Sequence, residues 1–350
     1  MKQLIDELYI NNTLSKEKIL MLLNNLNEEN TQYLYMKANE LRLHNYNNKV
    51  YMRGLIEFTN HCKNDCVYCG IRKHNKNADR YRLSKEDIIN CCKEGYRLGY
   101  RTFVLQGGED LYFTDDKIVD IVSSIKSLFD DVAVTLSIGE KSYESYRKYY
   151  DAGADRYLLR HETNSKQLYN SLHPNMSYEN RIECLYNLKK IGYQVGAGFM
   201  VGLPNQTNED YTKDLIFLKE LQPHMVGIGP FIPQKDTPLS MEQSGTVDKT
   251  CIMLSIVRLL LPKVLLPATT ALGSLSNKGR EKGLKAGGNV VMPNLSPTNV
   301  REKYALYDGK ICTGDEAAHC RKCIENRIRS AGFEVDMSRG DHIDFSAPIV

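Results

Sequence analysis

Cys62, Cys66 and Cys69 form a C-x3-C-x2-C triple, with Tyr68 just before the last cysteine and the strand-like run 51–58 just before the loop. Thiols this close in sequence can converge on one point, and in a cytosolic setting converging thiolates usually hold a metal. Structural zinc typically takes two separated pairs, so a compact triple is a poor zinc frame. Iron–sulfur cubanes are held by four thiolates, and three would leave one iron open to a small chelating molecule. The bland reading is three unrelated cysteines, but free cysteines otherwise favour buried apolar positions.

More residues of this kind follow other strand-like runs. Gln106-Gly107-Gly108-Glu109-Asp110 offers two glycines that let backbone approach a ligand, then a carboxylate able to accept from an ammonium group. By itself it is equally an ordinary Gly-Gly turn. Arg160, His161 and Glu162 stand in a row after an apolar run. Arg160 suits an anion, Glu162 suits ribose hydroxyls, and His161 is either a proton carrier or a structural histidine. Arg181 lies one turn into a helical pattern that starts at Ser177, where a solvated face is the plain alternative. Residues 196–204, Met200 among them, are rich in small side chains and leave room for a cofactor against the backbone, as do residues 226–233. Thr269 and Thr270 bring a hydroxyl pair that could equally cap a helix. Last come Tyr304 and Tyr307, then Cys312, Cys320 and Cys323 with His319 alongside. That spacing permits a second iron–sulfur cluster or a Cys3His zinc site.

Holding these residues together requires a repeating frame. Strand candidates are 51–58, 102–106, 132–137, 156–159, 194–200, 225–229, 264–267 and 289–293. Helical patterns at 84–98, 115–128, 177–191 and 208–221 alternate with them, Ser84 and Ser177 serving as N-caps. Eight strands alternating with helices predict a parallel α/β fold, a closed (β/α)8 TIM-type barrel, with an open doubly wound sheet as the alternative. The reading divides the chain into an N-terminal helical cap (1–47), the barrel (48–293) and a C-terminal cysteine-bearing extension packed on it (294–350). At 350 residues the length suits a barrel with insertions, and a net charge of +3 from 46 basic and 43 acidic residues carries no nucleic-acid or membrane signature. With no run of 18 apolar residues and no secretory leader, the ten cysteines fit a reducing cytoplasm. Cys91, Cys92, Cys184 and Cys251, each in a helical pattern, read as core residues.

Taken together, the C-x3-C-x2-C loop and the Gly-Gly-Glu turn resemble the radical S-adenosylmethionine (SAM) superfamily. The strings RHET at 160–163, GLP-x-QT at 202–207, GIGPFIP at 227–233, PATTA at 267–271 and NVVMPN at 289–294 are similar to the HydE family of [FeFe]-hydrogenase maturases. This resemblance runs from about Leu55 to Cys323. It implies a barrel closed at one end by the N-terminal helices, with a catalytic [4Fe–4S] cluster on Cys62, Cys66 and Cys69 near the other. By the same resemblance SAM would be bound among Gln106, Gly108, Glu109, Thr135, Ser137, Glu162, Arg181 and Met200. Arg160, Met225, Thr269, Thr270 and Tyr307 would line the substrate end. An accessory [2Fe–2S] or [4Fe–4S] cluster would sit on Cys312, Cys320 and Cys323. The implied substrate is a small organometallic one, an iron–carbonyl–cyanide precursor, and the implied partners are the other maturases and an electron donor. A methylornithine- or biotin-synthase-like activity and a non-catalytic iron–sulfur scaffold are the rival readings.

Overall fold

The computed structural model describes residues 1–345. Strands buried on both faces read as apolar runs, and residues 103–105 (Phe-Val-Leu) and 132–134 (Val-Ala-Val) are fully buried in this way. Six strands pair in parallel and in sequence order: Gly54–Thr59, Thr102–Gly107, Ala133–Ser137, Arg156–Leu158, Gln194–Ala197 and Met225–Val226. Two shorter staves complete the ring. Val226 N donates to Leu265 O, Asn289 N and Val290 N donate to Leu266 O, and Arg53 N and Leu55 N donate to Val291 O and Pro293 O. The last stave is thereby bonded to the first, and the (β/α)8 barrel is closed. Intervening helices coat its outside. Ser84 and Ser177 cap the helices Lys85–Arg97 and Tyr178–Ile191 by accepting from Asp87 N and Asn180 N. Cys91, Cys92, Cys184 and Cys251 are buried.

The strands are shorter than the sequence patterns. Residues 51–58 divide into Lys49–Met52 and Gly54–Thr59, because different partners flank them: the lower part pairs with Val290–Val291 and Glu334–Asp336, the upper with Thr102–Gly107. Residues 194–200 break after Ala197, where Gly198 adopts φ +147° and packs so close to Gly227 that a Cβ would lie 2.0 Å from its carbonyl oxygen. Beyond that break Met200–Val201 pairs with Gly229–Pro230 in a separate ribbon. Residues 264–267 form only isolated bridges, to Met225 and Val290.

The N-terminal helices Lys2–Asn11, Lys16–Asn25 and Glu28–Tyr46 brace the side wall against the helices Asn208–Leu221 and Val247–Leu260, with Asn208 bonded to Asn24. Tyr46, at the end of the third, reaches the base of the barrel and packs with Met225, Leu265 and Val290. The floor, at the N-terminal ends of the staves, is also filled by residues 339–345. Arg156 donates to Asp341 at 2.6 Å, Gln194 donates to Asp341 at 2.6 Å, and Arg53 donates to Gly340 O at 3.0 Å. Arg339 reaches Asp155 at 2.9 Å. Apolar periodicity carries no trace of this plug, because polar contacts hold it.

Burial by itself would raise the Asp341 carboxyl, but the charge of Arg156 and the bonds from Arg339 and Gln194 outweigh it and hold it well below the usual carboxylate range. The depressed value means this contribution is complete above about pH 4 and is lost as pH falls from there toward the folded-state value. Asp341→Asn leaves Arg156 buried without its counter-charge and should cost about 2–4 kcal/mol. Urea unfolding should show a lower midpoint at pH 7, and the difference from wild type should shrink as the pH is taken below 4.

Candidate active site

The cysteine loop leaves the top of the strand Gly54–Thr59 and lies across the C-terminal mouth of the barrel. Distant segments fix it: Lys63 N donates to Glu109 O, Val67 N to Leu172 O and Gly70 N to Leu306 O. Arg80 gathers the following turn by donating to the carbonyls of Ile71, Arg72 and Asn75. Gly108 lies directly beneath, where a Cβ would stand 2.2 Å from His61 O and 2.8 Å from the Cys62 Cβ. The close approach expected at this glycine is therefore made by the cysteine loop itself.

Burial, and then the proximity of one another, pushes up the thiols of Cys66 and Cys69, the latter to about 12; burial likewise pushes up Cys62. All three would stay protonated at neutral pH without a cation. A metal cluster is what would make thiolates of them, and an all-sulfur donor set of three suits iron–sulfur rather than a hard single ion. Among the described residues no three His, Cys, Asp or Glu side chains close around one ion position.

Around the thiols stand charged groups from several strand ends. Glu162 is buried at φ +65°, a strained conformation for a side-chain-bearing residue. Its Oε2 is 3.2 Å from Arg160 but not aligned for a hydrogen bond, which leaves it an unpartnered buried acceptor. Glu109 Oε1 accepts from Glu140 N at 3.0 Å, while its Oε2 lies 3.1 Å from Lys63 Nζ, again without hydrogen-bond alignment. Arg181 is buried, not on a solvated face. It donates to Glu140 Oε1 at 2.6 Å and to Arg160 O at 2.7 Å. Glu140 escaped the sequence reading, although it too follows a strand end, three residues after Ser137. His161 is fully buried between Asp214 Oδ1 at 3.2 Å and Gly198 N at 3.4 Å, with its ring edge-on to Phe217, and is a structural histidine. Met200 packs with Leu203 and Phe231 against Val67 and Tyr68 of the cysteine loop.

The expected residues occupy two levels. Gln106, which donates to the Tyr304 hydroxyl at 3.4 Å, and Ser137 lie toward the mouth. Thr135 and Met225 lie lower and line a narrow cavity above the floor with Arg53 and Arg156, the Thr135 hydroxyl being buried and unpartnered. Arg160 lies over Gly227. Thr269 precedes the helix Thr270–Leu275, yet its buried hydroxyl makes no capping bond and no other hydrogen bond. Thr270 Oγ1 accepts from Arg280 at 3.1 Å. Burial pushes the Tyr307 hydroxyl up to about 12.

Residues 303–312 form a roof over the mouth, of which the sequence reading placed Tyr307 at the substrate end. Lys310 reaches down to the buried Glu57 at 2.6 Å, and Asn294 donates to the same carboxylate at 2.7 Å. At the end of the roof, Cys312 (φ +65°) accepts from Arg280 at 3.6 Å. Cys320 is buried and Cys323 exposed, one turn apart on the helix Ala317–Ser330. A hydrogen bond from Cys320, and the Arg280 charge, pull the Cys312 thiol down against its burial. His319 is exposed and lies 3.2 Å from Asp315.

A parallel barrel with three thiols at its mouth is the arrangement of a radical SAM protein, and residues 56–218 match the radical SAM superfamily. The chain is 48% identical over 299 residues, 85% of each chain, to the [FeFe] hydrogenase maturase subunit HydE of Thermotoga maritima. It is 30% identical over 323 residues to 3-methylornithine synthase of Methanosarcina acetivorans, covering 92% of this chain and 90% of that one. The crystal structure of methylornithine synthase (PylB) superposes with a TM-score of 0.85 at 28% identity, over 95% of this chain and 97% of that one. The chain belongs to the HydE family of radical SAM enzymes.

Gly108→Ala should displace the cysteine loop, because the methyl group meets backbone rather than a movable side-chain tip. After anaerobic reconstitution the variant should keep its far-ultraviolet circular dichroism but bind less iron and show weaker charge-transfer absorbance than wild type. Full iron loading would mean that the loop can ride over the extra carbon.

Proposed function

We propose that this protein acts in [FeFe]-hydrogenase H-cluster maturation, using SAM at a [4Fe–4S] cluster on Cys62, Cys66 and Cys69 to process an iron–carbonyl–cyanide precursor inside the barrel. The observation that carries the reading is the 48% identity to the Thermotoga HydE maturase subunit. Cluster and SAM, once bound, supply reductive cleavage of the sulfonium C–S bond to a 5′-deoxyadenosyl radical. The chain's own residues bind, orient and shield. Arg181, preset by Glu140, offers its guanidinium to the SAM carboxylate. Glu162 has a free buried oxygen for ribose hydroxyls, and Glu109 for the ammonium group. Met200 and Tyr68 supply an apolar wall, and Gln106, Gly108 and Ser137 border the same space. Arg160, Thr269, Thr270 and Tyr307 face the substrate under the roof, with Thr135 and Met225 below it. Enclosure by roof and floor keeps water from a primary carbon radical. Cys312, Cys320 and Cys323 hold an accessory [2Fe–2S] or [4Fe–4S] cluster. The working partners are the other maturases and an electron donor. No helix among the described residues is long and apolar enough to cross a membrane, and we place the protein in the cytoplasm.

A second reading, an organic amino-acid substrate, is favoured by the TM-score of 0.85 to methylornithine synthase. Hydrogenase maturation in vitro separates the two. With the other maturases present, active hydrogenase should appear only when this protein is supplied. Cys66→Ala should abolish both maturation and 5′-deoxyadenosine release. Serine at positions 312, 320 and 323 should remove iron and one cluster's absorbance yet spare most 5′-deoxyadenosine. Maturation that proceeds without the protein would remove the reading.

Arg181→Leu removes a charge-assisted hydrogen bond worth about 1.5–3 kcal/mol, so calorimetry should find SAM bound roughly 10- to 100-fold more weakly. Unchanged affinity would take Arg181 out of the SAM site.

A further inference from the structure

One short segment supports the cysteine loop along its flank. Three consecutive loop residues each meet residues 172–176, at the end of the helix Lys166–Leu172 and in the turn after it. Cys66 Sγ donates to Met176 Sδ at 3.9 Å, and Val67 N donates to Leu172 O at 3.0 Å. The Tyr68 hydroxyl lies 2.9 Å from His173 Nε2. His173 stands on none of the strand ends that carry the charged groups of the site.

The chain fixes the direction of that last bond. His173 is buried, and its Nδ1 lies 2.9 Å from Tyr169 O, a carbonyl that can only accept. Nδ1 therefore carries the ring proton. Burial, and then the Arg181 charge, push the imidazole down to about 3, so Nε2 is bare and Tyr68 donates to it. Packing holds the rings as well. His173 stacks on Tyr169 with centroids 4.1 Å apart and planes at 24°, and it stands edge-on to Tyr68 at 5.4 Å and 83°. The Tyr169 hydroxyl in turn donates to Glu140 Oε1 at 3.4 Å, the oxygen that also accepts from Arg181. One line of contacts thus runs from the cysteine loop through His173 to the Glu140–Arg181 pair.

The Tyr68 ring is half-buried and packs against the cluster of Leu172, Met200, Leu203 and Phe231. Burial pushes its hydroxyl up, and Glu162, Cys66 and Cys69 push the same way, so the ring stands among the thiols and Glu162. The next step rests on the reading that SAM binds with its methionine end at the thiol-held cluster and its ribose at Glu162. The adenosyl part must then pass the Tyr68 ring, and a phenol free to turn about its side-chain bonds would give it no fixed wall. We infer that His173 is a positioning residue for SAM, holding the Tyr68 ring by its hydroxyl as the wall against which the adenosyl part lies. It acts through Tyr68 and not by touching SAM.

The test uses the anaerobically reconstituted full-length protein. It measures SAM affinity by calorimetry, iron content, and the rate of 5′-deoxyadenosine formation against SAM concentration. His173→Phe keeps a ring to stack on Tyr169 but removes the acceptor. It should bind SAM about tenfold more weakly and raise KM for SAM to match, with iron content and kcat within about twofold of wild type. His173→Gln returns an acceptor near the place of Nε2 and should recover most of the affinity. Tyr68→Phe removes the donor and should weaken SAM as His173→Phe does, and the double variant should be no worse than either single one. Unchanged SAM affinity in a folded His173→Phe, or losses that add in the double variant, would overturn the role of His173. So would a loss confined to iron content, which is what mere support of the loop would give. Should His173→Phe fail to fold, Tyr68→Phe, which lacks only one oxygen atom, decides the same point: normal SAM affinity there overturns the proposal. No SAM binding by the iron-loaded wild type would instead overturn the SAM reading itself.

Discussion

A ring of parallel strands loses its exposed edges only when the chain returns to bond its first strand, and everything else in this protein depends on that return. Backbone bonds from Arg53 and Leu55 to Val291 and Pro293 make it. The upper ends of all staves then face one opening. Residues that lie far apart in the chain, at 62–69, 106–110, 137–140, 160–162 and 269–270, come to the same end of the barrel. The functional side chains ride on short loops above a rigid wall, and the chemistry of this family needs that rigidity to keep a reactive radical in place.

Short staves create a second demand. Where strands last only two residues, carbonyls go without strand partners, and arginines answer for them. Arg258 donates to the carbonyls of Pro262, Val264 and Gly287, and Arg42 to those of Asn47 and Lys49. Arg80 does the same for the turn after the cysteines. Burial pulls the Arg258 guanidinium down to about 9, which still leaves it charged at neutral pH. A forked, flat cation can bridge several carbonyls at once, as a lysine cannot. The basic residues of this chain are therefore, in good part, structural cement rather than a surface for polyanions.

This division explains what the sequence could disclose. The compact cysteine triple was legible because its chemistry is local, and the barrel was legible because apolar runs recur with helices between them. Arg160 and Glu162 stood out as charges after a strand. Spacing alone could not tell Arg181 from a residue on a solvated face, because its partner, Glu140, is 41 positions away. Glu57 pairs with Lys310 across 253 positions, and Arg156 with Asp341 across 185. Periodicity reports only which face of an element is apolar, so polar links of this range leave no mark. Thr135 and Ser137 share one face of a strand, and no pattern distinguishes the depth at which each points into the barrel.

The polar floor has a consequence in time as well as in space. A polypeptide is made from its N-terminus, so every stave and the roof at residues 303–312 have been synthesised before Asp341 exists. Until that segment docks, Arg53 and Arg156 at the underside have no plug. The floor is thus laid by a segment that follows all eight staves in the chain, so a barrel folded from residues 1–338 alone would have an open base lined by Arg53 and Arg156.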